Sequence, residues 1–128
     1  MESGQDREFS ALAADHARHP RHYGGMESFN AHASIKGPCG DTMQFWLRIS
    51  GGRIEGVSFS TDGCCASRAC GSMTACLSLG KTLEEGTALS GAAILDSLGK
   101  FPEDHRHCAV LAVAVLRAAI EDYRAKNN

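Results

Sequence analysis

Met43, Phe45, Leu47 and Ile49 alternate with Gln44, Trp46, Arg48 and Ser50, the period-two signature of a strand buried on one face. Gly51-Gly52 ends this run and permits a tight turn into a second strand, Arg53 to Thr61, whose Val57, Phe59 and Thr61 share a face. Ile54 falls on the opposite parity, and a β-bulge near Gly56 would restore it to that face. A shorter strand over Ala31 to Lys36 completes an expected three-stranded sheet with antiparallel pairing.

The remaining pattern is helical. Arg7 to Ala17 places Phe9, Leu12, Ala13 and His16 at helical spacing, and His19-Pro20 marks the exit. Ala66 to Leu79 is small and apolar, with Gly80 just past the expected helix end. Thr82-Leu83-Glu84-Glu85 is a capping-box pattern, and Ser90 can cap a further helix to about Leu98. A final helix, His107 to Ala125, is apolar nearly all round until Arg117; it is expected to cross the core, with Val110 to Leu116 as core residues. The fold class is therefore α+β: a small antiparallel three-stranded sheet packed against several helices, with a long C-terminal core helix.

Composition sets the scale and setting. The 128 residues, 43% hydrophobic, suffice for one core, so residues 1–128 are expected to form one domain. A formal net charge of -2, without a long basic block, argues against nucleic acid as the main partner. The longest apolar run, Cys108 to Leu116, falls well short of the roughly 20 residues of a membrane helix, so no membrane partner is expected. Met1-Glu2-Ser3-Gly4-Gln5-Asp6-Arg7 lacks a secretory pattern, which predicts a cytoplasmic, reducing location. There, six cysteines read better as metal ligands or reactive thiols than as disulfides.

Three short pieces carry thiols at element ends: Pro38-Cys39-Gly40-Asp41, Asp62-Gly63-Cys64-Cys65, and His107-Cys108. Thiolate, imidazole and carboxylate are the side chains that hold soft and borderline metals. Cys39 precedes the first long strand and Cys64 follows the second, so the hairpin lays the two pieces side by side. Cys64 and Cys108 each stand near a helix start, where unpaired amides and the positive dipole end favour thiolate. Asp41 and His107 would complete a mixed S/N/O shell. No Cys-x-x-Cys pair is present, so spacing alone leaves the metal open.

The motifs narrow it. Pro38-Cys39-Gly40-Asp41, Thr61-Asp62-Gly63-Cys64 and His107-Cys108-Ala109-Val110-Leu111-Ala112 together resemble the IscU/NifU N-terminal family of iron–sulfur cluster assembly scaffolds. The resemblance spans nearly the whole chain, from Asp15-His16-Ala17-Arg18-His19-Pro20-Arg21, similar to the family's His-Tyr-x-x-Pro-Arg opening, to Ala118-Ala119-Ile120-Glu121-Asp122-Tyr123. It implies that Cys39, Cys64 and Cys108 bind the cluster and that Asp41 tunes its stability and release. His107 matches the histidine beside the third cysteine, and Cys108 would be the main acceptor of persulfide sulfur. The cargo implied is a transient cluster, 2Fe-2S in the usual case. Its sulfur would come from a cysteine desulfurase, and apo iron–sulfur proteins would receive it; an iron or electron donor is a further partner. A fourth ligand that is not thiolate gives weaker, exchangeable binding, which suits a donor.

Departures matter equally. Phe101-Pro102-Glu103-Asp104-His105-Arg106 stands where many bacterial scaffolds have Leu-Pro-Pro-Val-Lys, which puts the family's docking site for a heat-shock chaperone in doubt. Cys65 replaces the usual glycine, and Cys70 and Cys76 follow on the same helix. Cys70 and Cys76 read as core packing, while Cys65 could exchange with Cys64 as a ligand or remain idle. Asp41 and His107 also have plain readings as turn and helix caps. His16, His19, His22, His32 and His105 read as exposed polar residues, with His105 near enough to support the site, and Trp46 reads as a sheet-face residue. The alternative is a zinc-dependent sulfur acceptor resembling the SufU branch. That branch carries an insertion between the second and third motifs and lacks the histidine before the last cysteine, features this chain does not share. The end at Asn128 predicts a stand-alone scaffold, without the appended domains of longer NifU proteins.

Overall fold

The protein is described by a computed structural model covering residues 9–38 and 40–127. Cys39, and the Arg7 start expected for the first helix, lie outside the described residues. In chain order the elements are α1 (Ala11–Arg18), β1 (Ala31–Lys36), β2 (Thr42–Ser50), β3 (Arg53–Thr61), α2 (Cys65–Ser78), α3 (Leu83–Ala88), α4 (Gly91–Leu98), a 3-10 turn at Glu103–His105, and α5 (His107–Lys126).

The sheet is three-stranded and antiparallel in the order β1-β2-β3. Alternation in β2 is carried through: Met43, Phe45, Leu47 and Ile49 are buried, and the intervening residues face outward. The expected bulge is present. Arg48 pairs with Gly56 and Ile49 with Ile54, leaving Glu55 as the extra residue on β3. That one-residue slip returns Ile54 to the face of Val57 and Phe59, so the core keeps all three. The outer edge of β3 is covered locally: Phe59 donates its N–H to His22 O at 2.9 Å and accepts from Gly24 N at 2.8 Å. This segment blunts an otherwise open strand edge.

Helix ends follow local chemistry. Thr82 and Glu85 form the reciprocal capping box of α3, and Ser90 caps α4 by accepting from Ala93 N at 3.1 Å. Ser10 caps α1, and the helix buries Ala13, His16 and Ala17. Leu12, expected inside, is 45% exposed, because the narrow buried face of this short helix falls on the other residues.

α5 packs across β1 and β2 and against α2, α3 and α4. Its burial is less complete than the apolar run predicts: Val110 is 61% exposed, and with Arg117 and Glu121 it forms an outward stripe. No described helix is long and apolar enough to cross a membrane. The architecture brings four chain segments to one end of the sheet: the entry to β2, the exit from β3, and the first turns of α2 and α5.

Candidate metal centre

The base of the β2–β3 hairpin fixes two of these segments. Thr42 N–H donates to Asp62 Oδ1 at 2.7 Å, and Asp62 N–H returns a bond to Thr42 O at 3.2 Å. Asp41 therefore lies beside Gly63 and the start of α2. Its carbonyl also accepts from Gly37 N–H at 2.7 Å, across a stretch in which Gly40 takes a left-handed φ of 90°.

Ser67 joins this hairpin base to α5. It is completely buried, its hydroxyl donates to Asp41 Oδ2 at 3.3 Å, and it stands 3.5 Å from Cys108 Sγ. His107 Nε2 lies 3.8 Å from the same sulfur. Ser67 thus lies between Asp41 and Cys108, with His107 beside the same sulfur; carboxylate, thiol and imidazole are the donor types of borderline metals and iron–sulfur chemistry.

Gly63 makes the approach possible. A Cβ built there would lie 2.5 Å from both Asp41 Oδ2 and Ser67 Oγ, so any larger residue forces these side chains or the β3–α2 connection to shift.

Cys64 is the N-cap residue of α2, with extended backbone and no capping bond from its side chain, and it is exposed. The opening amides of α2 stand beside it. Cys108 occupies the corresponding first turn of α5 but is only 2% exposed. His107 is exposed at the same helix start. Among the described residues no three His, Cys, Asp or Glu side chains group closely enough to enclose a metal ion; Cys39 lies outside that set.

The other thiols sort by depth. Cys65 is buried in the core cluster, Cys70 is fully buried, and Cys76 is half-buried. Burial pushes the Cys70 thiol well above its ordinary range, and negative charge at Cys108 and Cys64 pushes it further the same way. Cys70 is thus a neutral core thiol behind the site. Burial raises Cys76 too, against a smaller opposing effect of Arg21.

Two histidines depart from the exposed role expected of them. His16 is 5% exposed and its Nδ1 lies 2.7 Å from Ser72 Oγ, which also accepts from Arg21 N at 2.9 Å. Desolvation lowers the His16 pKa, with the nearby Arg21 charge acting in the same sense. His32 is half-buried, bonded through Nε2 to Gln44 Oε1 at 2.9 Å and set against Trp46, which is likewise half-buried on the outer sheet face. His19 and His22 are exposed as expected. His105 is half-buried, bonds Asp104 and stacks at 6.3 Å from the His107 ring, next to the site.

Sequence reasoning missed Ser67 and Gly63 as site residues. The available signal was position: Gly63 precedes the helix-starting cysteine, and Ser67 follows it by one helical turn.

Comparison with known proteins gives the family. Residues 8–128 match the family model for the NifU-like N terminal domain. The iron–sulfur cluster assembly scaffold protein IscU 1 of Archaeoglobus fulgidus is 37% identical over 93% of this chain and 78% of its own length. The scaffold protein IscU of Haemophilus influenzae is 33% identical over 92% of this chain and 97% of its own. The crystal structure of a nitrogen-fixing NifU-like protein (N-terminal) from Brucella abortus superposes with a TM-score of 0.76 at 19% identity, covering 94% of this chain and 97% of that one. With the motifs, the fold and sequence matches of this extent in agreement, the chain belongs to the NifU-like N-terminal domain family of iron–sulfur cluster assembly scaffolds.

Proposed function

We propose that this protein is a scaffold on which an iron–sulfur cluster is built from iron and desulfurase-derived sulfur and from which it passes to apo-proteins. The observation that supports the reading is the meeting of Asp41 and Cys108 on either side of Ser67, with the exposed Cys64 at the adjoining helix start. The proposed ligands are Cys39, Asp41, Cys64, His107 and Cys108, and the cluster is cargo, 2Fe-2S in the simplest case. The site would operate in a reducing compartment such as the cytoplasm, where its thiols stay available.

In the proposed sequence the thiolate of Cys108 attacks the outer sulfur of a desulfurase persulfide. The S–S bond of the donor breaks, the desulfurase cysteine leaves as thiolate, and the new persulfide stays on Cys108. Two electrons from a donor protein then release that sulfur as sulfide for iron. Cys108 is buried whereas Cys64 is open, so sulfur enters past Cys64 and the first turn of α5 must yield to admit it.

Release rests on Asp41. A carboxylate oxygen holds iron less durably than a thiolate, so one labile corner lets an acceptor's cysteine displace the scaffold. Sulfurtransfer is a step of this cycle, with no separate enzymatic activity assigned. The zinc-dependent acceptor reading is not preferred, because His107 stands before the last cysteine and no insertion separates the second and third motifs. Zinc can still occupy such a donor set.

Anaerobic incubation with ferrous iron, cysteine and a cysteine desulfurase tests the reading. Wild type should develop the absorption and Mössbauer signature of a cluster, and Cys39→Ala, Cys64→Ala and Cys108→Ala should each lose it. Absence of a cluster on wild type, or normal assembly on all three variants, rules the scaffold reading out.

A further inference from the structure

We propose that Ser67 is a positioning residue of the site, one hydroxyl that sets Asp41 against Cys108 and governs how firmly this pair holds a thiophilic metal ion; the assignment rests on the scaffold reading above. Ser67 is fully buried on the first turn of α2. It donates to Asp41 Oδ2 at 3.3 Å and stands 3.5 Å from Cys108 Sγ, linking the β2 entry to the start of α5. These two residues lie far apart in the chain, and the Ser67 hydroxyl reaches both.

A hydroxyl has one proton to donate. While Cys108 keeps its thiol proton, that proton can go to Ser67 Oγ and the hydroxyl proton to Asp41. When the Cys108 sulfur is a metal ligand it has no proton left to give, and carboxylate and thiolate compete for the single hydroxyl proton. A bond to sulfur fixes how the thiolate is presented to the metal, and a bond to the carboxylate does the same at Asp41, so each holds its ligand in place. Ser67 thus couples the strength of one ligand to that of the other. Glycine at residue 63 leaves room for this hydroxyl, since a Cβ there would lie 2.5 Å from it.

Cobalt(II) titration of the anaerobic apo-protein provides a readout separate from cluster assembly, because sulfur-to-cobalt charge-transfer absorption reports the thiolate ligand itself. Ser67→Ala should weaken cobalt binding by about tenfold or more, the scale of lost outer hydrogen bonds at metal sites, and should shift the charge-transfer band. Ser67→Thr, which keeps the hydroxyl, should retain the wild-type band. In an Asp41→Ala background the same Ser67→Ala change should cost clearly less, since one of its two partners is gone. Thermal melting of each apo-variant is recorded alongside, and if the alanine variant does not fold the Ser67→Thr band decides: a band shifted from wild type despite the retained hydroxyl overturns the assignment. An unchanged affinity and band in Ser67→Ala, or an equal loss with and without Asp41, overturns the assignment while leaving the scaffold intact. Wild type that binds no cobalt and assembles no cluster overturns both.

Discussion

Replacing Gly63 by alanine tests whether the site is built by close approach of backbone to side chains. Gly63 is not among the left-handed glycines of the chain, so alanine can adopt its backbone conformation and the effect is steric. The new Cβ would lie 2.5 Å from Asp41 Oδ2 and from Ser67 Oγ. Restoring ordinary contact requires each oxygen to retreat by about 0.9 Å, or the β3–α2 connection to move by a similar amount. Overpacking of this kind costs about 1–3 kcal/mol of stability. Displacing a ligand and its hydrogen-bond donor together should reduce metal affinity by roughly 10- to 100-fold.

Cobalt(II) titration and thermal melting of the apo-protein measure the two effects separately. Gly80→Ala is the control: its left-handed φ of 86° makes alanine unfavourable, but its Cβ meets nothing and it lies at the far end of α2. It should cost about 1–2 kcal/mol of stability with metal affinity unchanged. Wild-type cobalt affinity in Gly63→Ala would refute the reasoning, since Asp41 and Ser67 would then have no required position.

Thr74 is fully buried on α2 and its Oγ1 has no hydrogen-bond partner among the described residues, so Thr74→Val, which keeps shape and removes the hydroxyl, should raise stability by about 1 kcal/mol. Chemical denaturation checks this; a loss of stability would mean the hydroxyl is satisfied. The lowered pKa of His16 means the folded state disfavours its protonation, so the stabilisation is present above the unfolded pKa near about 6.5 and is lost as pH falls through the folded value. The melting temperature of wild type should therefore fall between neutral pH and pH of about 5 more steeply than that of His16→Gln; parallel curves would exclude the assignment.

Local chemistry explains why most elements could be read in the sequence. The β1 and β3 bounds, the bulge, the Thr82 box and the Ser90 cap are each decided by a few neighbouring residues. His16 could not be read this way, because its burial depends on α1 lying against Ser72 of α2, a partner 56 residues away. Val110 misleads for a related reason: apolarity marks it as core, but the side of α5 it occupies is set by the sheet and helices that pack there. At the site, residue identity pointed to Asp41, Cys64, His107 and Cys108. The roles of Gly63 and Ser67 emerge only once Asp41 and Cys108 are brought to the same end of the sheet.

The central claim is that the cluster is held in order to be given away. The direct measurement mixes the anaerobically loaded protein with an apo-ferredoxin and follows the visible circular dichroism of both. The account predicts that the acceptor gains a cluster as this protein loses one, faster than the acceptor is filled by free iron and sulfide, and that Asp41→Ala slows the transfer. A cluster that stays on this protein while the apo-acceptor remains empty would contradict it.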